Sequence, residues 1–343
     1  MSRRGVVQAL LSAVLFGLSA PLAKALLQDV PPVMLAGLLY LGSGIGLGIV
    51  RALSGGQNEA PVAGADRGWL AAAVVCGGIV APVLLMDGLQ FTAGSTASLL
   101  LNLEGAFTAL LAWRVFRENA DTRIVLGMAC VLVAGLFLAW PSQGQPVWSS
   151  GALLVAGACL FWAIDNNLTG RVSGADPLTI VMAKGLAAGA FNLVLSLALG
   201  AHLPGLAAVC EVMLLGLLSY GVSLLLYVRA LRHLGTARTS AYFGLAPFVG
   251  ALVAFPLLHE SASALFVPSL ALMAVGVWLH LSERHAHEHA HPLLSHAHLH
   301  SHDEHHQHEH EGLLTEPHSH PHVHQPLVHV HPHYPDLHHR HHP

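Results

Sequence analysis

Ten apolar runs, each about long enough to cross a lipid bilayer, occupy most of the first 281 residues of this chain. An α-helix needs about 20 apolar residues to cross the hydrocarbon core of a membrane. Charged residues make up 10% of the chain, against about 25% in soluble domains. The sequence therefore predicts an all-α integral membrane protein with ten transmembrane helices. These spans are predicted at residues 5–27, 33–52, 69–90, 94–114, 122–140, 149–169, 178–199, 208–229, 238–258 and 264–281.

Basic residues divide the loops into two groups, which predicts the orientation of the chain. With a cytoplasmic N-terminus, alternate loops carry 13 of the 15 Lys and Arg residues, and the other two, Lys24 and Lys184, lie within spans. Cytoplasmic loops of membrane proteins carry such an excess of basic residues. We therefore expect a multi-pass protein of the inner (plasma) membrane with both termini in the cytoplasm.

The two halves of the membrane region resemble each other in sequence. A shift of 142 positions carries residues 88–95 onto 230–237 and Glu118 onto Glu260. Each half has five spans, an odd number, so the second half must enter the membrane from the opposite face. This pattern predicts two inverted repeats with a solute site near the midplane between them, as in many secondary transporters. The predicted division is a first repeat at 1–141, a second repeat at 142–284 and a tail at 285–343.

This arrangement resembles the EamA-type members of the drug/metabolite transporter superfamily, which have ten helices in two five-helix repeats. The resemblance covers about residues 5–281, and three segments carry it: LFGLSAP at 15–21, the stretch 98–118 that ends in FRE, and the stretch from LAPF to LHE at 245–260. It implies a membrane transporter with a small-molecule substrate. The substrate itself does not follow, because members export amino acids, nucleosides and many other metabolites.

The sequence departs from the family pattern in the fourth and ninth spans, where members often show Leu-Glu-Pro. Here Leu103-Glu104-Gly105 keeps the acid, whereas Leu245-Ala246-Pro247 keeps the proline. This asymmetry indicates a role for Glu104 that its counterpart in the second repeat lacks.

Polar side chains inside the spans are the candidates for a solute or ion cavity. A charge at the bilayer centre costs about 2.5 kcal/mol or more on insertion scales, so it needs a partner or a function. In the functional interpretation Glu104 is a proton or cation site and Lys184 is an anion partner. In the structural interpretation a Glu104–Lys184 pair only locks the two halves together. The predicted cavity residues are Glu104, Lys184, Asp165, Asn166, Asn102 and Lys24.

Other polar and aromatic residues of the spans have less specific predictions. Glu118 and Glu260 are expected to cap helices or to pair locally rather than to touch substrate. Four aromatic residues are equally compatible with the cavity wall, with packing and with the membrane interface: Tyr40, Trp162, Tyr227 and Tyr242.

The tail from residue 285 onward has a composition unlike the rest of the chain, with 23 of the 27 histidines, one Arg and seven acids. Proline and charge preclude a packed core, so we expect disorder until metal binds. Neutral imidazole suits Ni, Co, Zn and Cu(II), whereas no cofactor is required elsewhere. The predicted metal ligands are His285, His287, His289, His291, His296, His298, His300, His302, His318, His320, His322, His324, His329, His331 and His333.

Three functions are compatible with these features. The first is a secondary-active exporter of a small metabolite whose tail senses or buffers cytosolic metal. The second is a transition-metal exporter (Ni, Co or Zn) whose tail collects ions, and the third is a membrane-anchored metal store. The first is favoured because the four histidines before the tail lie at or near span ends, where they cannot form a metal path at mid-depth. No phosphate loop, nucleophile elbow or HExxH motif occurs, so we expect neither an enzyme nor a nucleic-acid partner. The oligomeric state does not follow from the sequence.

Overall fold

Ten helical spans form the membrane part of the protein. The computed structural model describes residues 3–281, with gaps at 54–61, 116–121, 141–148, 173–174, 235–238 and 240–241, and four segments of the tail. The helices, numbered here in chain order, are α1 Arg3–Leu26, α2 Pro32–Leu53, α3 Gly64–Phe91, α4 Gly94–Arg114, α5 Thr122–Ala139, α6 Ser150–Val172, α7 Pro177–Ala198, α8 Leu206–Ala230, α9 Ala246–Leu258 and α10 Phe266–Leu281.

Helices α1 to α8 are long and apolar enough to cross a membrane, whereas α9 and α10 are shorter, with 13 and 16 residues. Each helix overlaps one of the ten apolar runs, although α9 begins at Ala246 and not at the predicted residue 238. The all-helical membrane fold is thus confirmed.

The helix pairs with the most extensive contacts follow a two-fold pattern. Helix α2 packs against α7, α4 against α9, and α5 against α10, so each of these pairs joins equivalent helices of the two halves. Helix α1 packs against α8, and its equivalent α6 packs against α3, the equivalent of α8. Such reciprocity is expected of two repeats related by a pseudo-two-fold axis. The repeats themselves are therefore visible in the packing, while the exact boundaries proposed from the sequence stay a prediction.

Glycines let the central pair, α2 and α7, approach closely. A Cβ atom added at Gly44 would lie 2.7 Å from the backbone nitrogen of Leu186, and one added at Gly185 would lie 2.8 Å from the nitrogen of Gly44. Helices in lipid associate through close packing of this kind, because lipid tails are as apolar as leucine and supply no hydrophobic driving force.

Irregular turns occur at equivalent places in both repeats. Helix α3 contains a π-helical segment, Val74–Val80, and α8 contains another, Leu217–Val222. Helix α4 is interrupted at Leu101 and Asn102, and a turn at Gly244 and Leu245 precedes α9. A shift of 142 or 143 positions relates the members of each pair. Because π-helical turns commonly occur at functional sites, we expect the functional site to lie near these positions.

The tail contains four short strands in the structure. His285–His291 pairs antiparallel with Leu327–His333, and Leu294–His300 pairs antiparallel with His318–His324. The His-x-His repeats alternate with a period of two, which is the period of a strand. The disorder that the composition of the tail predicts stays a prediction.

Orientation in the membrane is testable with thiol labelling. After replacement of the four native cysteines, we expect Ala65→Cys to react only with reagent on the cytoplasmic side and Gln28→Cys and Leu203→Cys only with reagent on the other side. All three residues are exposed, so a failure to react at all would not arise from burial. Labelling of Ala65→Cys from the outside would contradict both the orientation and the inverted arrangement of the repeats.

Candidate functional site

A cavity of about 360 Å³ lies between the two repeats. Its walls come from α1, α2, α4, α6, α7 and α8, and from Phe243, which precedes α9. It reaches Thr169 near the end of α6 and Pro177 at the start of α7. We call this the Asp176 end of the bundle, after the residue that caps α7. By the predicted orientation this end faces the cytoplasm.

Asp165 and Lys184 form an ion pair on the cavity wall. The Lys184 Nζ atom donates to both carboxylate oxygens of Asp165, each at 2.6 Å. Thr169 Oγ1 also donates to Asp165, at 2.9 Å. The Asp165 side chain is 8% exposed and that of Lys184 is 16% exposed. The structure thus pairs Lys184 with Asp165, and not with Glu104 as the structural interpretation of the sequence supposed.

Glu104 lies on the same cavity and has a neutral partner. Asn166 Nδ2 donates to Glu104 Oε1 at 2.8 Å, and no ion pair of Glu104 is found among the described residues. Glu104 lies two residues after the interruption of α4 at Leu101 and Asn102, and its side chain lines the cavity. Of the six residues predicted for the cavity, the structure brings four together around it: Glu104, Asp165, Asn166 and Lys184.

Asn102 and Lys24 lie elsewhere. Asn102 is buried, donates to the carbonyl oxygen of Leu99 at 3.0 Å and contacts Met273 Sδ at 3.8 Å. Lys24 donates to the carbonyl oxygens of Leu89 and Thr92, each at 2.6 Å. Neither side chain lines the cavity, so both hold helices together instead.

Aromatic side chains line the same cavity as the charged groups, and we call them the aromatic wall. Phe16 and Tyr220 meet edge to face with centroids 5.9 Å apart, Phe16 and Phe243 lie 5.3 Å apart, and Tyr40 and Tyr220 lie 5.6 Å apart. With Trp162 these rings are the aromatic lining of the cavity. The sequence suggested Tyr40 and Trp162 but missed Phe16, Tyr220 and Phe243. Tyr220 lies in the π-helical segment Leu217–Val222, whose equivalent in the first repeat is Val74–Val80.

The π-helical segment of α3 supplies acceptors for this wall. The carbonyl oxygen of Gly77 accepts from Tyr40 Oη at 2.7 Å and from Trp162 Nε1 at 2.9 Å. The neighbouring carbonyl of Gly78 accepts from Asn192 Nδ2 at 3.1 Å. Irregular helical turns of this kind release carbonyl groups from the helix ladder, so the polar atoms of Tyr40 and Trp162 are satisfied and their ring surfaces are left for the cavity.

At the opposite end of the bundle, Glu260 caps the first turn of α4. Its carboxylate accepts from the backbone nitrogen atoms of Gly94 and Ser95 and, at 2.7 Å, from Ser95 Oγ. A carboxylate is favourable there because the first amides of a helix have no partner within the helix. The capping role expected of Glu260 is thus found, but it acts across the two repeats. We call this contact the Glu260 cap.

We expect the Glu260 cap to keep the Gly94 end closed. In a Ser98→Cys background without the native cysteines, Glu260→Ala removes the three hydrogen bonds and should increase labelling by an impermeant maleimide from the Gly94 side. Ser98 is 1% exposed and lies about one turn inside the cap, so labelling reports opening. Glu211→Ala, at an exposed acid on α8, is the matched control. Equal labelling in both variants would mean that helix packing alone closes this end.

A second ion pair stands at the Asp176 end, where Arg51 donates to Asp176 and to Thr179. Burial by itself would raise the pKa of the Asp176 carboxyl. Hydrogen bonds from Thr179, Arg51 and the Leu178 amide outweigh that effect and hold the pKa below its ordinary value. The pair ties α2 to the start of α7 beside the cavity.

The tail histidines predicted as metal ligands stay a prediction. Most of them fall in the four strands, but their side chains lie outside the part of the chain that the structure describes. Among the residues with described side chains, no group of three or more His, Cys, Asp or Glu residues could hold a metal ion.

Two comparisons with known proteins agree with this architecture. A curated relative, an uncharacterized transporter of Methanothermobacter thermautotrophicus (strain Delta H), is 27% identical over 293 residues, which cover 80% of this chain and 85% of the relative. A crystal structure matches 80% of this chain and 95% of its own with a TM-score of 0.59 and 18% identity, which shows the shared fold.

The family comparison covers both halves of the chain. The model of the EamA-like transporter family matches residues 3–140 and again residues 149–282. The two matches coincide with the two five-helix halves seen in the packing. The protein is therefore a member of the EamA-like transporter family, a membrane transporter of the drug/metabolite superfamily.

Proposed function

We propose that this protein is a secondary-active transporter that exports a small organic metabolite across the inner membrane, and that its tail binds divalent metal in the cytoplasm as a sensor or buffer. The observation that carries the proposal is the cavity between the repeats. It combines an aromatic wall, an internally neutralised Asp165–Lys184 pair and one further carboxylate, Glu104. Pockets for small organic molecules combine mostly apolar walls with a few polar groups in this way.

The Glu260 cap at the Gly94 end and the cavity at the Asp176 end suit alternating access. In inverted repeats, rocking of one half against the other exposes a central site to each side in turn. The Glu260 cap joins the start of α4 in the first repeat to the second residue after α9 in the second repeat. Opening the Gly94 end would therefore require this contact between the repeats to break.

Glu104 is the group that we assign to ion coupling. A carboxylate that lines a cavity inside the membrane without an ion-pair partner is unfavourable in its charged form. Protonation or a bound cation relieves this cost, so either one can compete for the same site. Exchange of a proton for solute at Glu104 would couple export to the proton gradient without ATP.

Transition-metal export is the second candidate. The tail favours it, since imidazole binds Ni, Co and Zn. The cavity does not, because its lining contains no His or Cys among the described residues, and one of the two carboxylates found there is held by Lys184. A membrane-anchored metal store is a third candidate, but this function does not account for the cavity.

A solute screen in everted membrane vesicles tests the proposal. Vesicles from cells with and without the protein are supplied with amines, amino acids, nucleosides, nickel, cobalt or zinc under an imposed proton gradient. We expect protein-dependent uptake of an organic solute, with metal changing the rate at most. Uptake of metal alone would favour the metal exporter, and no protein-dependent uptake of any kind would favour the metal store.

A further inference from the structure

We infer that the transported solute carries an ammonium group beside an apolar or aromatic body, and that Glu104 binds the ammonium group. The inference rests on the proposed function, in which the cavity carries an organic solute. It concerns the chemical class of that solute, for which the charges and rings of the cavity give separate arguments.

The charge balance of the cavity favours a cation. Among the described residues, the acidic and basic side chains that line the cavity are Glu104, Asp165 and Lys184. Lys184 is bonded to both oxygens of Asp165 at 2.6 Å, so this pair is neutral as a unit. When ionised, Glu104 leaves the cavity with one negative charge. An entering cation would compensate that charge, whereas an entering anion would face two carboxylates and would have to displace Asp165 from Lys184.

The hydrogen bonding of Glu104 leaves room for a donor. Asn166 Nδ2 bonds to Oε1 only, at 2.8 Å. A carboxylate accepts about four hydrogen bonds, so Glu104 can take further N–H donors from a solute. A charged donor suits it best, because charge-assisted hydrogen bonds are about twice as strong as neutral ones.

The aromatic wall suits the same kind of solute. The ring centroid of Phe16 lies within 6 Å of those of both Tyr220 and Phe243. Tyr40 and Trp162 both donate to the carbonyl oxygen of Gly77, so Trp162 lies next to Tyr40 in the wall. Ring faces attract ammonium groups and stack on flat apolar bodies. Since the polar atoms of Tyr40 and Trp162 are already bonded within the protein, the wall offers mainly ring surface.

Four ligands with one ring and different charges test the inference. They are phenethylamine (cation), N-acetylphenethylamine (neutral), 3-phenylpropanoate (anion) and phenylalanine (zwitterion), each competed against tritiated phenethylamine on the purified full-length protein. We expect phenethylamine to bind at least about tenfold more tightly than the neutral or anionic ligand, which is the strength of one charged hydrogen bond. Phenylalanine should be weaker than phenethylamine, because Lys184 is already occupied.

Variants show whether Glu104 is the anchor. Glu104→Gln can still accept from Asn166 but has no charge, so it should lose the preference for the cation. Glu104→Asp should keep that preference, and Asp29→Asn, at an exposed loop acid, should bind like the wild type. Thermal unfolding of each variant shows whether it is folded.

Several results would overturn the inference. Tightest binding of the anion or zwitterion would make Lys184 the anchor, and equal binding of the neutral ligand would remove the role of charge. Binding of none of the four ligands would also overturn it. The vesicle screen, which includes neutral and anionic solutes, judges transport separately, so the solute class can fail while the transporter proposal stands.

Discussion

Glu104→Gln is expected to reduce solute flux in proteoliposomes to the rate of protein-free liposomes. The substitution keeps the size of the side chain and its capacity to accept from Asn166, but it removes the only cavity carboxylate that has no cationic partner among the described residues. Neither a proton nor a cation can then exchange at this position. Flux of the solute found in the vesicle screen, measured from pH 5.5 to pH 8.5, is the readout.

Three comparisons make this result specific. Asp29→Asn also removes one carboxylate, but in an exposed loop, and should transport normally. Glu104→Asp keeps the charge and should retain part of the flux. Thermal unfolding and gel filtration of Glu104→Gln should match the wild type, since a folding defect would lower flux for another reason. Normal flux of Glu104→Gln across the whole pH range would show that Glu104 has only a structural role.

Truncation after Arg284 is expected to remove nearly all divalent-metal binding while leaving solute transport intact. The truncation deletes 23 of the 27 histidines. Free imidazole has a pKa of about 6.5, so most tail histidines are available as ligands at cytosolic pH. Acidification protonates imidazole and should release metal from the full-length protein. Equilibrium dialysis with nickel or zinc gives the number of ions bound per chain at each pH.

The control for this truncation replaces two of the four histidines that lie outside the tail. Full-length protein with His202→Ala and His259→Ala should bind as much metal as the wild type. A truncated protein that still binds many ions would place the metal sites in the membrane region. One that inserts correctly but moves no solute would make the tail essential and would favour the metal exporter.

The helices could be predicted from the sequence because the bilayer imposes a length and a polarity on each span. The inverted repeat could be predicted because offsets of about 142 recur along the chain, and the packing of α1 on α8 and of α6 on α3 reflects it. The capping role of Glu260 could also be predicted, because Glu260 lies just past the end of the ninth span. Its partners, Gly94 and Ser95, lie 165 or more positions away, and no local rule identifies them.

The pairing of charges could not be predicted. Asp165 and Lys184 are 19 positions apart on neighbouring helices, and whether they meet depends on how α6 and α7 rotate about their axes. A small difference in that rotation would leave Lys184 free for Glu104. The sequence identified the three charged residues, but only the packing shows that Glu104 has no ion-pair partner among the residues that the structure describes.

The aromatic wall escaped prediction for a related reason. Phe16, Tyr220 and Phe243 stand in apolar runs where aromatic residues serve equally well against lipid, against another helix or beside a cavity. What distinguishes them is the contact of α1 with α8 and the turn before α9. For Tyr220 the π-helical segment Leu217–Val222 also contributes.

The most direct test asks whether the membrane region carries an organic cation or a metal ion. Protein truncated after Arg284 is reconstituted in proteoliposomes loaded with tritiated phenethylamine, whose passive leak is subtracted with protein-free liposomes, or with radioactive nickel. Efflux is then measured under an imposed proton gradient. We predict protein-dependent efflux of phenethylamine that Glu104→Gln abolishes, with nickel retained. Efflux of nickel with retention of phenethylamine would contradict the account.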